Sequence, residues 1–106
     1  MGAHISMVDT DTRLKIGTWE NKVENTVYQA PVGGRAIVIW MESGESWVLG
    51  RTDGDNPPAA IRMRGDTRVY GGIVVPVAKG DYWKIESDSE HPVTVFWLPW
   101  TVDAIK

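Results

Sequence analysis

Apolar residues in this chain come in short runs rich in Val, Ile, Trp and Tyr, each closed by Gly, Pro, Asp, Asn or Ser. No stretch keeps the three-to-four-residue apolar spacing of a helix, and bounded runs of β-branched and aromatic residues are the pattern of strands joined by turns. About eight strands are expected, over residues 13–16, 26–29, 35–41, 46–51, 59–64, 69–75, 81–87 and 92–98. The turn chemistry between them is specific. Ala30-Pro31-Val32-Gly33-Gly34 joins a φ-locked proline to two glycines that can supply positive φ, and Gly80 does the same ahead of Asp81. Glu42-Ser43-Gly44-Glu45 has hairpin length, and Asp53-Gly54-Asp55-Asn56-Pro57-Pro58 is a polar surface loop. Regular strand spacing without a helix predicts an all-β fold, an antiparallel β-sandwich of jelly-roll type.

At 106 residues the chain supports one core, and residues 1–7 read as an added or disordered leader ahead of an internal Met7, leaving 8–106 as a single domain. With no cysteine, stability must come from packing or from partner chains. Alternation assigns two kinds of strand. In 81–87, Trp83 and Ile85 share one side and Tyr82, Lys84 and Glu86 the other, as a sheet with one wet face requires. In 35–41 and 92–98 both sides are apolar, so one face packs on the core and the other meets a second subunit or sheet. A homo-oligomer follows.

Several functions are excluded on composition. The eleven basic residues are scattered and the net charge is −3, so nucleic acid has no concentrated basic face to bind. The longest apolar run, residues 36–41, is far short of a membrane helix, and no signal peptide is written at the N-terminus. His4 and His91 are the only histidines, which leaves no Ser-His-Asp set and no zinc site, and no cofactor is implied. The acids Asp53, Asp55, Asp66, Asp81, Glu86, Asp88 and Glu90 fall at turns or strand ends, where solvated carboxylates are common. Asp53-Gly54-Asp55-Asn56 resembles the start of a calcium loop, but the downstream glutamate is missing and two prolines follow. The chain is read as a non-enzyme.

Six tryptophans in 106 residues carry the most information. Indole is placed where a large apolar surface is buried, so Trp40, Trp83 and Trp97, inside strands, belong to a core or a subunit seam. Trp19, Trp47 and Trp100, with Tyr28 and Tyr70, are the candidates for stacking on a pyranose, and packing at a subunit seam is the alternative for them. Asp53, Asp55 and Asn56, in the loop 52–58, complete the candidate ligand-binding set, and the loop 86–92 is a second ligand-facing surface.

Three stretches in order, Tyr28-Gln29-Ala30-Pro31-Val32-Gly33-Gly34, then Val75-Pro76-Val77-Ala78-Lys79-Gly80-Asp81-Tyr82-Trp83, then Val93-Thr94-Val95-Phe96-Trp97-Leu98-Pro99, resemble the C-terminal receptor-binding or tip domains of bacteriophage tail fibres and tailspikes. Similar Ala-Pro-Gly and Lys-Gly-Asp segments occur in complement-like and tumour-necrosis-factor-like jelly rolls, which also trimerise. The resemblance covers most of residues 26–100, and the last residues, from Trp100 to Lys106, fall beyond it. It implies a homotrimeric virion domain that recognises a host-surface glycan or protein. The alternative it leaves open is a purely structural trimerisation cap or capsid decoration module.

Overall fold

The computed structural model describes residues 12–40, 47–66, 71–87 and 93–104. These form nine strands: β1 (Thr12–Ile16), β2 (Glu20–Lys22), β3 (Tyr28–Gln29), β4 (Gly34–Trp40), β5 (Trp47–Asp53), β6 (Ile61–Asp66), β7 (Gly71–Val77), β8 (Tyr82–Ser87) and β9 (Thr94–Ala104). All pairings are antiparallel. A front sheet has the order β1-β9-β4-β7, with β2 also on β9, and a back sheet has the order β3-β8-β5-β6. The chain is an all-β sandwich.

Its winding is that of a jelly roll. β2 pairs with β9, β3 with β8, β4 with β7 and β5 with β6, so the chain is one long antiparallel ribbon folded over itself. The expected eight strands correspond to eight positions in this ribbon. The ninth segment arises because the first edge strand is broken: Ile16 lies opposite Trp100 and Glu20 opposite Trp97, so three residues of one strand face two of the other, a β-bulge. Polar Glu20, Asn21 and Lys22 gave no apolar alternation to mark β2 in advance. The last strand also continues past Pro99 to Ala104, because Pro99 meets the ladder through its carbonyl, which accepts from Gly17 N–H at 2.8 Å.

The core fills the gap between the sheets with Ala36 and Val38 of β4, Val48 of β5, Ile73, Val75 and Val77 of β7, Trp83 and Ile85 of β8, and Val95 and Trp97 of β9. Every one of these lies on the inward side of its strand, and along β8 Trp83, Ile85 and Ser87 are buried while Tyr82, Lys84 and Glu86 are not. The alternation expected for that strand holds. Gly80 has φ of 85°, as its turn requires. Gly33 and Gly34 do not have positive φ; among the described glycines only Gly80 does. What those two positions need is room. A Cβ on Gly34 would stand 2.8 Å from the Trp97 ring and 2.5 Å from the Leu98 carbonyl oxygen.

Gly50 is the tightest point between the sheets. A Cβ there would lie 2.3 Å from Cγ2 of Val75, across the interior from β7. Replacing it forces the sheets apart or Val75 off its rotamer, and overpacking of this kind costs about 1–3 kcal/mol. Gly50→Ala is therefore expected to lower Tm by roughly 5 °C or more in thermal unfolding followed by circular dichroism. Gly54→Ala, whose new methyl would meet nothing closer than 4.0 Å, is expected to leave Tm nearly unchanged.

Candidate functional site

The two edge strands β2 and β3 face each other along one long side of the sandwich without pairing, and this side is its mouth. Inside it three rings cross from sheet to sheet. Tyr28 stacks on Trp83 with centroids 5.0 Å apart, and Trp83 stacks on Trp97 at 5.1 Å with ring planes 17° apart. The mouth forms a pocket of about 370 Å³, bounded by these rings, by Glu20, Lys22 and Gln29, and by the loop at Pro31 and Val32. Glu20 and Lys22 lie opposite Trp97 and Val95 in the ladder, so both turn inward. Lys22 Nζ sits 4.8 Å over the Tyr28 ring and 3.2 Å from the Glu20 carboxylate.

The turn between β2 and β3 fixes this arrangement. Asn25 takes a left-handed φ of 58°, donates its N–H to Ile85 O at 2.6 Å, and accepts from Ser87 N–H at 3.0 Å. The Glu24 carboxylate accepts from the Ser87 hydroxyl and from Val93 N–H. The Tyr28 hydroxyl accepts from Val23 N–H at 2.9 Å, so the ring is anchored at its far end. Gln29 Nε2 donates to Gly80 O at 3.2 Å.

The outer faces of the two sheets differ in character. On the back sheet Glu86 is held by Arg51 at 2.7 Å and Lys84 at 2.8 Å. Burial opposes ionisation of Glu86, but the hydrogen bonds and charges of Lys84 and Arg51 outweigh it and hold its carboxyl below the usual range. On the front sheet Val74, Ile37 and Phe96 stand side by side on β7, β4 and β9, and Trp19 sets its edge on Phe96 at 6.2 Å. Trp19 is 55% exposed, Ile39 41% and Val74 38%. Trp19, Ile37, Ile39 and Phe96 line a shallow apolar hollow of about 340 Å³.

Beyond Pro99, β9 pairs only with β1 among the described residues, and the two form an arm in which Leu14, Ile16 and Val102 are 56–65% exposed. Trp100 stands at its base. The Arg35 guanidinium lies 5.1 Å from its ring, and its Nε1 rests where a Cβ on Gly33 would come within 2.8 Å. A groove of about 740 Å³ runs from Trp100 to Lys79 between the arm and the end of β7.

The expected ligand residues therefore do not form one platform. Trp47 and Asp53 sit at opposite ends of β5. Trp19 lies on the front face, Trp100 at the arm, and Tyr28 in the mouth. Tyr70, the loop 86–92 beyond Ser87, and both histidines lie outside the described residues. The loop 52–58 is turned on itself: the Asp53 carboxylate accepts from the N–H groups of Asp55, Ala59 and Ala60, each at 2.8 Å. Asp55 and Asn56 are exposed, and the Asn56-Pro57 bond is cis. Among the described residues no group of three or more acidic or histidine side chains converges on a metal-sized space. Glu20 and Lys22 were missed as site residues, since their role depends on which strand edge faces β3.

The Asp53 cap has a pH signature. Hydrogen bonds from Ala60 and Asp55 outweigh desolvation and hold its pKa below 3.8, so its contribution is complete above that value and is lost as pH falls through the folded-state pKa. Asp53→Ala is expected to lower Tm at neutral pH, and the gap to the unmodified protein should narrow in scans near pH 2. An unchanged gap would refute the assignment. No protein-family model, no curated protein and no solved structure matches this chain.

Proposed function

We propose that this jelly roll is an assembly and recognition module of a bacteriophage tail fibre or tailspike, a homotrimer that attaches to a host-surface glycan. The observation that carries the assembly half is the contrast between the sheets. The back face centres on the paired charges of Arg51, Lys84 and Glu86, with Trp47 exposed at one end of β5, whereas the front face and arm expose Leu14, Ile16, Trp19, Ile39, Val74 and Val102. Each of these six side chains is more than a third exposed, and clustered exposed apolar surface of this kind marks interaction sites. Half-buried Ile37, Phe96 and Leu98 extend the same face. A chain without disulfides gains stability by covering such a face with copies of itself. The virion setting and the glycan rest on the resemblance of the motifs around Tyr28, Lys79 and Trp97 to fibre-tip domains.

The separation of Trp19, Trp47 and Trp100 favours a second reading, a structural cap without ligand. Copies arranged around an axis would still multiply a weak contact by effective concentration, so recognition does not require one large platform per chain.

Light scattering on the purified protein is expected to give a trimer whose Tm rises with concentration. Ile39→Lys, which puts a charge on the front face, should yield a folded monomer, and Arg64→Glu, on the back sheet, should remain a trimer. A monomeric unmodified protein at micromolar concentration would sink the assembly reading.

A further inference from the structure

The geometry points to a slot one strand wide in the front sheet, beside residues 100–104 of β9, that receives residues 8–11 of a second copy of this chain as an added strand. It deepens the assembly half of the function above and rests on it.

The slot is a vacated lane of the sheet. β4 lies between β9 and β7 as far as Gly34, which stands opposite Pro99 on one side and Val77 on the other. Upstream of Gly34 the chain belongs to the back sheet, through β3 and the Ala30 N–H that donates to Asp81 O at 2.8 Å. β9 keeps its course and runs on to Ala104. Neighbouring strands are spaced about 4.8 Å apart, so the walls on either side of the missing strand stand roughly 10 Å apart. The groove of about 740 Å³ occupies this place, with Trp100, Thr101 and Val102 on one wall, residues 76–79 on the other, and Val32 and Gly33 where β4 begins.

The β9 wall is a strand edge. Trp100 N–H donates to Gly33 O, and Pro99 O accepts from Gly17 N–H, so even-numbered residues of this part of β9 turn their backbone toward the β4 lane and odd-numbered ones toward β1. Val102 and Ala104 thus turn theirs to the slot, beyond the last pair of the β4–β9 ladder. A row of backbone groups bounding a lane of this width selects an extended polypeptide.

Position and charge name the occupant. Residues 41–46, 67–70 and 88–92, outside the described residues, join strands at the other end of the sandwich, where Trp40 pairs with Gly71 and Val48 with Ser87. Residues 1–11 join at the arm, through Thr12 opposite Ala104. β1 and the β4 lane flank β9 on opposite sides, so in its own molecule this segment would have to cross β9, whereas a neighbour's segment meets no such barrier. Val8-Asp9-Thr10-Asp11 supplies four residues for the four at 101–104. Val8 and Thr10 are β-branched, as suits a strand, and Asp9 and Asp11 bring negative charge to a groove lined by Lys79, with Arg35 over its Trp100 ring.

The chain has no cysteine, so introduced ones report the contact. Full-length Thr10→Cys and Val102→Cys variants, mixed and treated with a short bismaleimide, are expected to give a peptide joining residue 10 to residue 102, which can form only between chains. Deleting residues 1–11 should weaken association about tenfold or more in a light-scattering dilution series, with circular dichroism unchanged. Val102→Pro, which removes one N–H from the slot and none from the β1 ladder, should do the same. Lys79→Glu should also weaken association, and adding Asp9→Lys and Asp11→Lys should restore it. A trimer that survives the deletion and gives no 10-to-102 link overturns the slot and leaves assembly standing. An unmodified protein that is monomeric at micromolar concentration overturns assembly, and the slot with it.

Discussion

The two sheets are held in register by a stack of rings, Tyr28 on Trp83 on Trp97, that spans the interior where no strand closes the sandwich. Each ring comes from a different strand, β3, β8 and β9, so the stack depends on pairings far apart in the chain. Offset stacked aromatics add about 0.5–1.5 kcal/mol per pair beyond the area they bury. Away from the mouth the sheets touch at Gly50 and Val75, where β5 has no side chain at position 50 to separate them. The interior is therefore a wedge, wide at the mouth where indoles fill it and narrow where glycine does. The mouth pocket lies at the wide end, where flat rings fill the interior.

A second asymmetry follows from the first edge strand. Its bulge at residues 17–19 keeps Glu20 and Lys22 turned inward while Trp19 turns out onto Phe96. Were the same residues paired without a bulge, Trp19 would fall opposite Trp97 and Glu20 opposite Phe96, and the charged pair and the indole would exchange sides. One irregularity thus supplies polar groups to the mouth and an aromatic to the front face.

Much of the fold was legible in the sequence because alternation is a local property. Trp83 and Ile85 inward with Lys84 and Glu86 outward could be read from six residues, and so could the two apolar sides of β4 and β9. The site was legible only in part. Tyr28 stood out as a stacking candidate, but nothing local links it to Lys22, Trp83 and Trp97, since their meeting depends on β3 pairing with β8 and on β2 facing β3 across the mouth. The short polar strand β2 has no apolar face to announce it, because its inward side is wet. Asp53 looked like a ligand for something external, and its oxygens serve the loop's own N–H groups instead. A polar loop and a self-capped loop have the same composition.

Pro76 has a consequence at the β7 edge of the front sheet. Gly33 O accepts from Trp100 N–H, so alternate residues of β4, including Arg35, turn their backbone toward β9. Pro76 lies opposite Arg35, and its own backbone therefore turns outward, along the open rim. With no N–H to offer there, that rim is a poor template for another strand. A strand added along this rim would meet a gap in the ladder at Pro76, so the edge is a poor seed for an unbroken sheet running from one molecule into the next.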